Sequence, residues 1–257
     1  MRNHILSILD KGMRLDGRKK DEYRDVIKVE YGVAGLAEGS AKVTMGKTEV
    51  VAGVKMEVME PFSDTPNEGV IMVGEELLPL SNPEFEAGPP SVEAIELSRV
   101  VDRGIRESHA LDLKQMCITP GEKVWGVSID ICPINDAGNL FDASALAAVA
   151  ALKNTVFPSY DGKKVDYKKM TTKKLPLKEL PISVTVCKIG KHFIVDPLSE
   201  EQKVADARLT VASTEKGMLC ALQKGGIEPV TLEDIKCMVD IGLEKAKSLR
   251  KLLGGTK

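Results

Sequence analysis

WGVSIDICPINDAGNLFDASALAAVAAL, from Trp125 to Leu152, holds a strand, a bend and a helix in immediate succession. Val127–Ile134 is a run of apolar and β-prone residues with the length of a buried strand. Asn135–Asn139 is turn chemistry, because Asn, Asp and Gly bend the chain at little cost or accept positive φ. Asp142 or Ser144 is placed to cap a helix by accepting a free backbone N–H. Ala143–Leu152 is almost wholly Ala, Leu and Val, and a helix apolar on every side is a buried helix. A loop that opens such a helix can aim backbone N–H groups at a phosphate.

Strand-like segments flank this unit on both sides. Val26–Val33 alternates as a strand. Gly39–Glu60 reads as a hairpin turning at Gly46-Lys47, with Val50, Ala52, Val54, Met56 and Val58 on one face. A proline-rich, acidic loop covers Pro61–Pro90, with room for one short strand at Gly69–Val73. Pro181–Asp196 repeats the hairpin pattern with a turn at Gly190-Lys191, and Ala207–Ser213 pairs with Met218–Gln223 across Glu215-Lys216-Gly217. The likeness of the two hairpins implies two similar halves. Helices are expected at Met1–Met13, Val92–Leu111 and Thr231–Leu253, the last opening on a Thr231/Asp234 capping box. The expected fold is therefore α/β (α+β), with mixed sheets packed on helices in two similar βα halves. We expect a single domain over residues 1–257, its halves spanning about 1–158 and about 180–257.

Composition narrows the function. The chain has 257 residues and a formal net charge of −2, so nothing global draws it to nucleic acid or to membranes. An RNA contact must come from a local basic patch. Five dispersed cysteines without CxxC spacing read as reduced core residues, and three histidines are too scattered to form a ligand cluster. No long uncharged apolar run and no signal peptide is present, so the expected compartment is the cytoplasm, with no membrane partner. The charged stretch Arg14–Arg24 reads as a solvated loop, and the lysine-rich stretch Ser159–Pro181 as a crossing loop between the halves, its lysine run either a solvated linker, the more common case, or a contact for RNA. In Val92–Leu111 the guanidinium groups of Arg99, Arg103 and Arg106 share one stripe opposite the apolar face. Such a stripe is either a solvated face with ion pairs to Glu96, Asp102 and Glu107, or a phosphate-binding stripe.

Several motifs together resemble the RNase PH family, whose members are phosphorolytic 3′→5′ exoribonucleases and their relatives. They are RLDGR with Glu22 and Arg24, GSAKVTMGKTEVVAGVKME from Gly39, IELSRVVDRGIRES from Ile95, and NDAGN before the Ala-rich helix. The likeness runs from about Met1 to Leu253. VWGVSIDICPINDAGNLFDASALAAVAALKNT and VDPLSEEQKVADARLTVA resemble most the branch that forms the larger, non-catalytic subunit of the archaeal exosome ring. In the catalytic members the resemblance implies a Gly-Ser/Thr-Arg cradle for phosphate before the core helix. It also implies two Asp, six residues apart, that hold a metal or protonate the leaving oxygen. Here those positions read Gly138-Asn139-Leu140, and Gln202 with Arg208.

The resemblance therefore implies a subunit with no catalytic residues, no metal and no cofactor of its own. Its partners would be a catalytic RNase PH-like paralogue, alternating with it in a hexameric ring as a trimer of heterodimers, the exosome's RNA-binding cap subunits, and single-stranded RNA held by Arg99, Arg103 and Arg106. The alternative is a self-sufficient phosphate-dependent exoribonuclease that uses Glu200, Glu201 or Asp206. No glycine-rich nucleotide loop, Cys–His pair or GxSxG supports a small-molecule enzyme.

Overall fold

The computed structural model describes residues 1–254. In chain order the elements are α1 (Arg2–Asp10), β1 (Ile27–Tyr31), β2 (Gly39–Met45), β3 (Thr48–Met59), β4 (Val70–Glu75), α2 (Val92–Glu107), β5 (Cys117–Thr119), β6 (Lys123–Asn135) and α3 (Leu140–Asn154). They continue with β7 (Val156–Tyr160), β8 (Val165–Lys174), β9 (Ile182–Ile189), β10 (His192–Val195), α4 (Ser199–Gln202), β11 (Ala207–Ser213), β12 (Leu219–Gly225) and α5 (Leu232–Gly254). The first sheet runs β1-β2-β3-β6-β4, with β5 on β6, and is mixed because β4 lies parallel to β6. The second runs β10-β9-β11-β12 and is antiparallel throughout. The expected hairpins appear at their expected turns, and the α+β fold with sheets on helices is the one the sequence implied.

Helix α3 lies between the sheets and touches β2 and β3 on one side and β9 on the other. Thirteen of its residues, Leu140 through Leu152, are buried. Alanine dominates because two sheets can approach a helix this closely only across small side chains. The approach is tightest at Gly39, where a Cβ would lie 2.1 Å from Thr155 Oγ1 and 2.6 Å from Thr155 Cα. The alternating face of β3 (Val50, Ala52, Val54, Met56) is wholly buried, as its period requires. Helix α5 opens on the Thr231/Asp234 capping box, each side chain accepting the other's backbone N–H, and buries Met238, Gly242, Ala246 and Leu249.

Four expectations need correction. Helix α3 starts at Leu140, with Asn139 at the N-cap position in the left-handed region (φ 63°) and no side-chain capping bond, so Asp142 and Ser144 lie inside the helix and not at its cap. The Arg14–Arg24 segment is a loop with Leu15, Asp16, Gly17, Lys19, Asp21 and Glu22 exposed, but its arginines are not solvated: Arg14 is 2% exposed, and Arg18 and Arg24 are half-buried. Residues 165–174 form a strand of an exposed two-stranded ribbon with β7 where a loop was expected. Of the cysteines only Cys187 is buried, the other four being half-buried and free.

A buried helix leaves its polar residues nothing but protein to bond. Ser144 Oγ donates to Glu75 Oε1 at 2.7 Å, while Glu75 Oε2 is buried without a partner. Burial pushes the Glu75 carboxyl up to about 8, the Ser144 hydrogen bond opposing only in part. The folded chain thus keeps this proton until about pH 8, whereas an unfolded one loses it near the ordinary value of 4.5. Unfolding releases the proton in between, so rising pH removes stability. Glu75→Gln should therefore gain on the parent protein as pH rises from about 5 to about 8. Thermal unfolding midpoints of both, measured across that range, check this; a difference that does not vary with pH would refute it.

Candidate nucleic-acid and phosphate site

The loop between β6 and α3 is where backbone N–H groups would meet a phosphate, and each one described there already has a protein acceptor. The Ala137 N–H donates to Thr48 Oγ1 (3.1 Å), the Gly138 N–H to Asp136 Oδ1 (2.9 Å) and the Asn139 N–H to Gln202 Oε1 (3.1 Å). Gly138 takes φ 94° and sits against the exit of β10, where a Cβ would come within 2.4 Å of Pro197 O. Leu140, which follows, is only 7% exposed. The Gln202 carboxamide oxygen thus takes one of the loop's N–H groups, and the guanidinium that reaches the loop, that of Arg24, donates to its carbonyls.

The side of this loop facing away from solvent is held by a buried charge cluster. Asp196, at the end of β10 with φ 48°, receives Arg24 Nη2 on Oδ1 at 2.6 Å and Arg18 Nη1 on Oδ2 at 2.9 Å. Arg24 also donates to the carbonyls of Ala137 and Gly138, so it ties the N-terminal segment to the loop. Burial alone would raise the Asp196 carboxyl. Hydrogen bonds and charge from Arg24, with Arg18 behind it, outweigh that and hold it below the usual range. Asn139 Nδ2 bridges Asp196 Oδ1 (3.0 Å) and Asp142 Oδ2 (3.1 Å). Asp142 also accepts the Tyr23 hydroxyl and the Thr185 N–H, yet burial pushes its carboxyl up to about 7 because no cation touches it. Beneath, Arg14 spends its guanidinium on Glu201 (3.0 and 2.5 Å) and on the carbonyls of Glu22, Val195 and Asp196.

The acids of the alternative reading do not converge. Glu201 is fully buried, paired with Arg14, and accepts the Leu198 N–H. Asp206 pairs with Arg2 at 2.7 Å and accepts the Gly190 N–H. Glu200 is exposed. Among the described residues no three His, Cys, Asp or Glu side chains are grouped to hold a metal ion. Arg208 is paired with Glu96 Oε2 at 2.5 Å, its guanidinium 4.6 Å over the Phe141 ring. Glu96 therefore serves Arg208 and not the arginine stripe.

Arg99, Arg103 and Arg106 are all exposed on α2. Arg106 is tethered to Asp102 Oδ1 (2.7 Å) and the Ile71 carbonyl, and Arg103 leans on Gln223 of β12 (3.1 Å). No ion pair of Arg99 occurs among the described residues. The stripe is thus part solvated face, as to Arg106, and part open cation.

The 3′ exoribonuclease family, domain 1, matches residues 22–158, and its domain 2 matches residues 179–245. The chain belongs to this RNase PH family. It is 47% identical to exosome complex component Rrp42 of Methanosarcina acetivorans over 98% of this chain and 92% of that one. It is 48% identical to the Rrp42 of Thermoplasma acidophilum over 97% and 94%. A solved Archaeoglobus fulgidus exosome with RNA bound to the active site contains a chain of TM-score 0.90 and 45% identity, covering 97% and 96%. A chain of an archaeal exosome core follows at TM-score 0.87 and 41%, covering 99% and 96%.

For this family member the buried arginine cluster is scaffold, and its removal should show as lost stability. Arg14→Met strands Glu201 as a buried, unpaired charge, which costs about 3–5 kcal/mol, or on the order of 10 °C in unfolding midpoint. Arg14→Met/Glu201→Gln should recover a large part of that loss, because the carboxamide still accepts the Leu198 N–H without a charge. Calorimetry of the three proteins decides; a single variant within about 2 °C of the parent would show the pair to be dispensable.

Proposed function

We propose that this chain is the non-catalytic RNase PH-like subunit of an archaeal-type exosome. It builds a ring with a catalytic paralogue and supports the 3′→5′ phosphorolytic RNA degradation that the paralogue performs. The observation that carries this reading is the filled cradle: Gln202 occupies the N–H of Asn139, and Leu140 stands where the catalytic pattern has an arginine. The near-full-length likeness to exosome complex component Rrp42 supports the assembly, the ring being six chains, a trimer of heterodimers, with RNA-binding cap subunits above it. Residues 1–257 act in it as one domain. Arg99, Arg103 and Arg106 guide single-stranded RNA by its phosphates toward the paralogue's site, and the complex works in the cytoplasm. No helix of the described residues is long and apolar enough to cross a membrane.

Self-sufficient phosphorolysis finds no support in the residues it would need, since Glu201 and Asp206 are spent on Arg14 and Arg2. The two readings part in one assay. With RNA and inorganic phosphate, the pure chain should release no nucleoside diphosphate, while the mixture with its paralogue should. Arg99→Glu/Arg103→Glu should leave assembly intact, because the apolar face of α2 is untouched. It should weaken RNA binding by the complex about ten-fold at low salt and slow degradation. Phosphate-dependent RNA shortening by the pure chain would sink the proposal.

A further inference from the structure

The ribbon β7–β8 has an unusual surface. Residues 161–174 carry six lysines (Lys163, Lys164, Lys168, Lys169, Lys173, Lys174) against two aspartates, in a chain whose net charge is −2. Every residue of β8 except Val165 is exposed. The lysine ion pairs among the described residues involve none of these six. The two aspartates do not neutralise them either. Asp161 accepts the backbone N–H groups of Lys163 and Lys164, and Asp166 that of Lys168, so both shape turns.

Of the six lysines, Lys173 serves the ribbon's packing, its ammonium 4.8 Å over the Phe157 ring. The ribbon is anchored through β7, where Phe157 is buried edge-on against Trp125 at 5.3 Å between ring centres. From β8, Thr171 Oγ1 donates to the Phe157 carbonyl. A bare edge strand needs a lysine or two to discourage pairing with another chain. Six like charges on one ribbon go beyond that and repel one another. Interleaved with them is Tyr167, 50% exposed, its ring held by the Lys55 ammonium at 4.8 Å. Lysines that track a backbone, with an aromatic ring beside them, are the surface that unstructured nucleic acid recognises.

We propose that the β7–β8 ribbon is a second RNA-binding surface, distinct from the arginine stripe. It takes the phosphate backbone of single-stranded RNA without sequence preference, and Tyr167 offers a stacking face for one base. The choice of RNA over another polyanion rests on the exosome reading above. Lys163 and Lys164 stand in the turn before β8, Lys168 and Lys169 in its first half and Lys173 and Lys174 at its end, so lysines occur along the whole ribbon where an extended phosphate backbone can meet them. The ribbon supplies affinity and salt dependence, not chemistry.

The test uses the full chain, alone and mixed with its catalytic paralogue, with a fluorescent oligoadenylate of about 20 nucleotides, long enough to span one such site. The variant is Lys163→Glu/Lys164→Glu/Lys168→Glu/Lys169→Glu, whose four side chains are all exposed. We expect affinity to fall about ten-fold or more at about 50 mM salt, and the slope of log affinity against log salt to shrink by about 2–3. Tyr167→Ala should weaken binding several-fold with the slope unchanged. Equal affinity and slope in parent and variant would overturn the proposal, while degradation by that mixture would leave the exosome reading standing. Salt-sensitive RNA binding by the chain alone, lost in the variant, together with no assembly, would uphold the ribbon and remove the exosome reading. If the variant binds RNA normally but no longer assembles, the ribbon docks an acidic protein surface and the proposal is wrong.

Discussion

A helix with no exposed face must settle every polar group it carries inside the protein. That constraint on α3 organises the molecule. Its thirteen consecutive buried residues set the closeness of the two sheets, and Gly39 is a glycine because Thr155 leaves no room for a Cβ. Ser144 has to bond Glu75, and Asp142 has to bond Tyr23 and the Thr185 N–H. Those bonds in turn fix the N-terminal segment and β9 against the helix. The core and the polar network are therefore one structure, and each limits what can change in the other.

Three buried carboxyls show how finely this environment differs over short distances. Glu75 and Asp142 meet only neutral donors, and burial raises both. Asp196 is also buried, yet two guanidinium groups keep it ionised at neutral pH. At Glu75 and Asp142 hydrogen bonds from neutral donors ease burial without reversing it; at Asp196 the opposite charge of Arg24 and Arg18, with their hydrogen bonds, does reverse it. The arginines of the N-terminal segment supply such charges, Arg14 at Glu201 and Arg18 with Arg24 at Asp196.

Periodicity made much of this fold legible. The alternation in β3, the apolar stripe of α2 and the capping box of α5 each state a local rule that the structure obeys. What stayed hidden depended on distant partners. Arg14 looks solvated until Glu201 and Val195, more than 180 residues on, close around it. Asp142 looks like a cap because acidic residues usually are; here Asn139 adopts φ 63° and starts the helix three residues earlier. The lysine-rich stretch lacks an apolar face, so no periodic signal marked it as a strand. At the cradle, the resemblance pointed to positions 140, 202 and 208. It did not reveal that Gln202 bonds the Asn139 N–H of that loop.

That bond bears on what can change at the site. With Leu140 packed at 7% exposure and Gln202 bonded to the Asn139 N–H, an arginine placed at position 140 alone would displace a packed side chain beside an occupied donor. A phosphate cradle at this loop would need the leucine, the glutamine and the Arg208–Glu96 pair to change together, each step alone costing packing or a hydrogen bond. The three positions are coupled, and a single substitution does not open the loop.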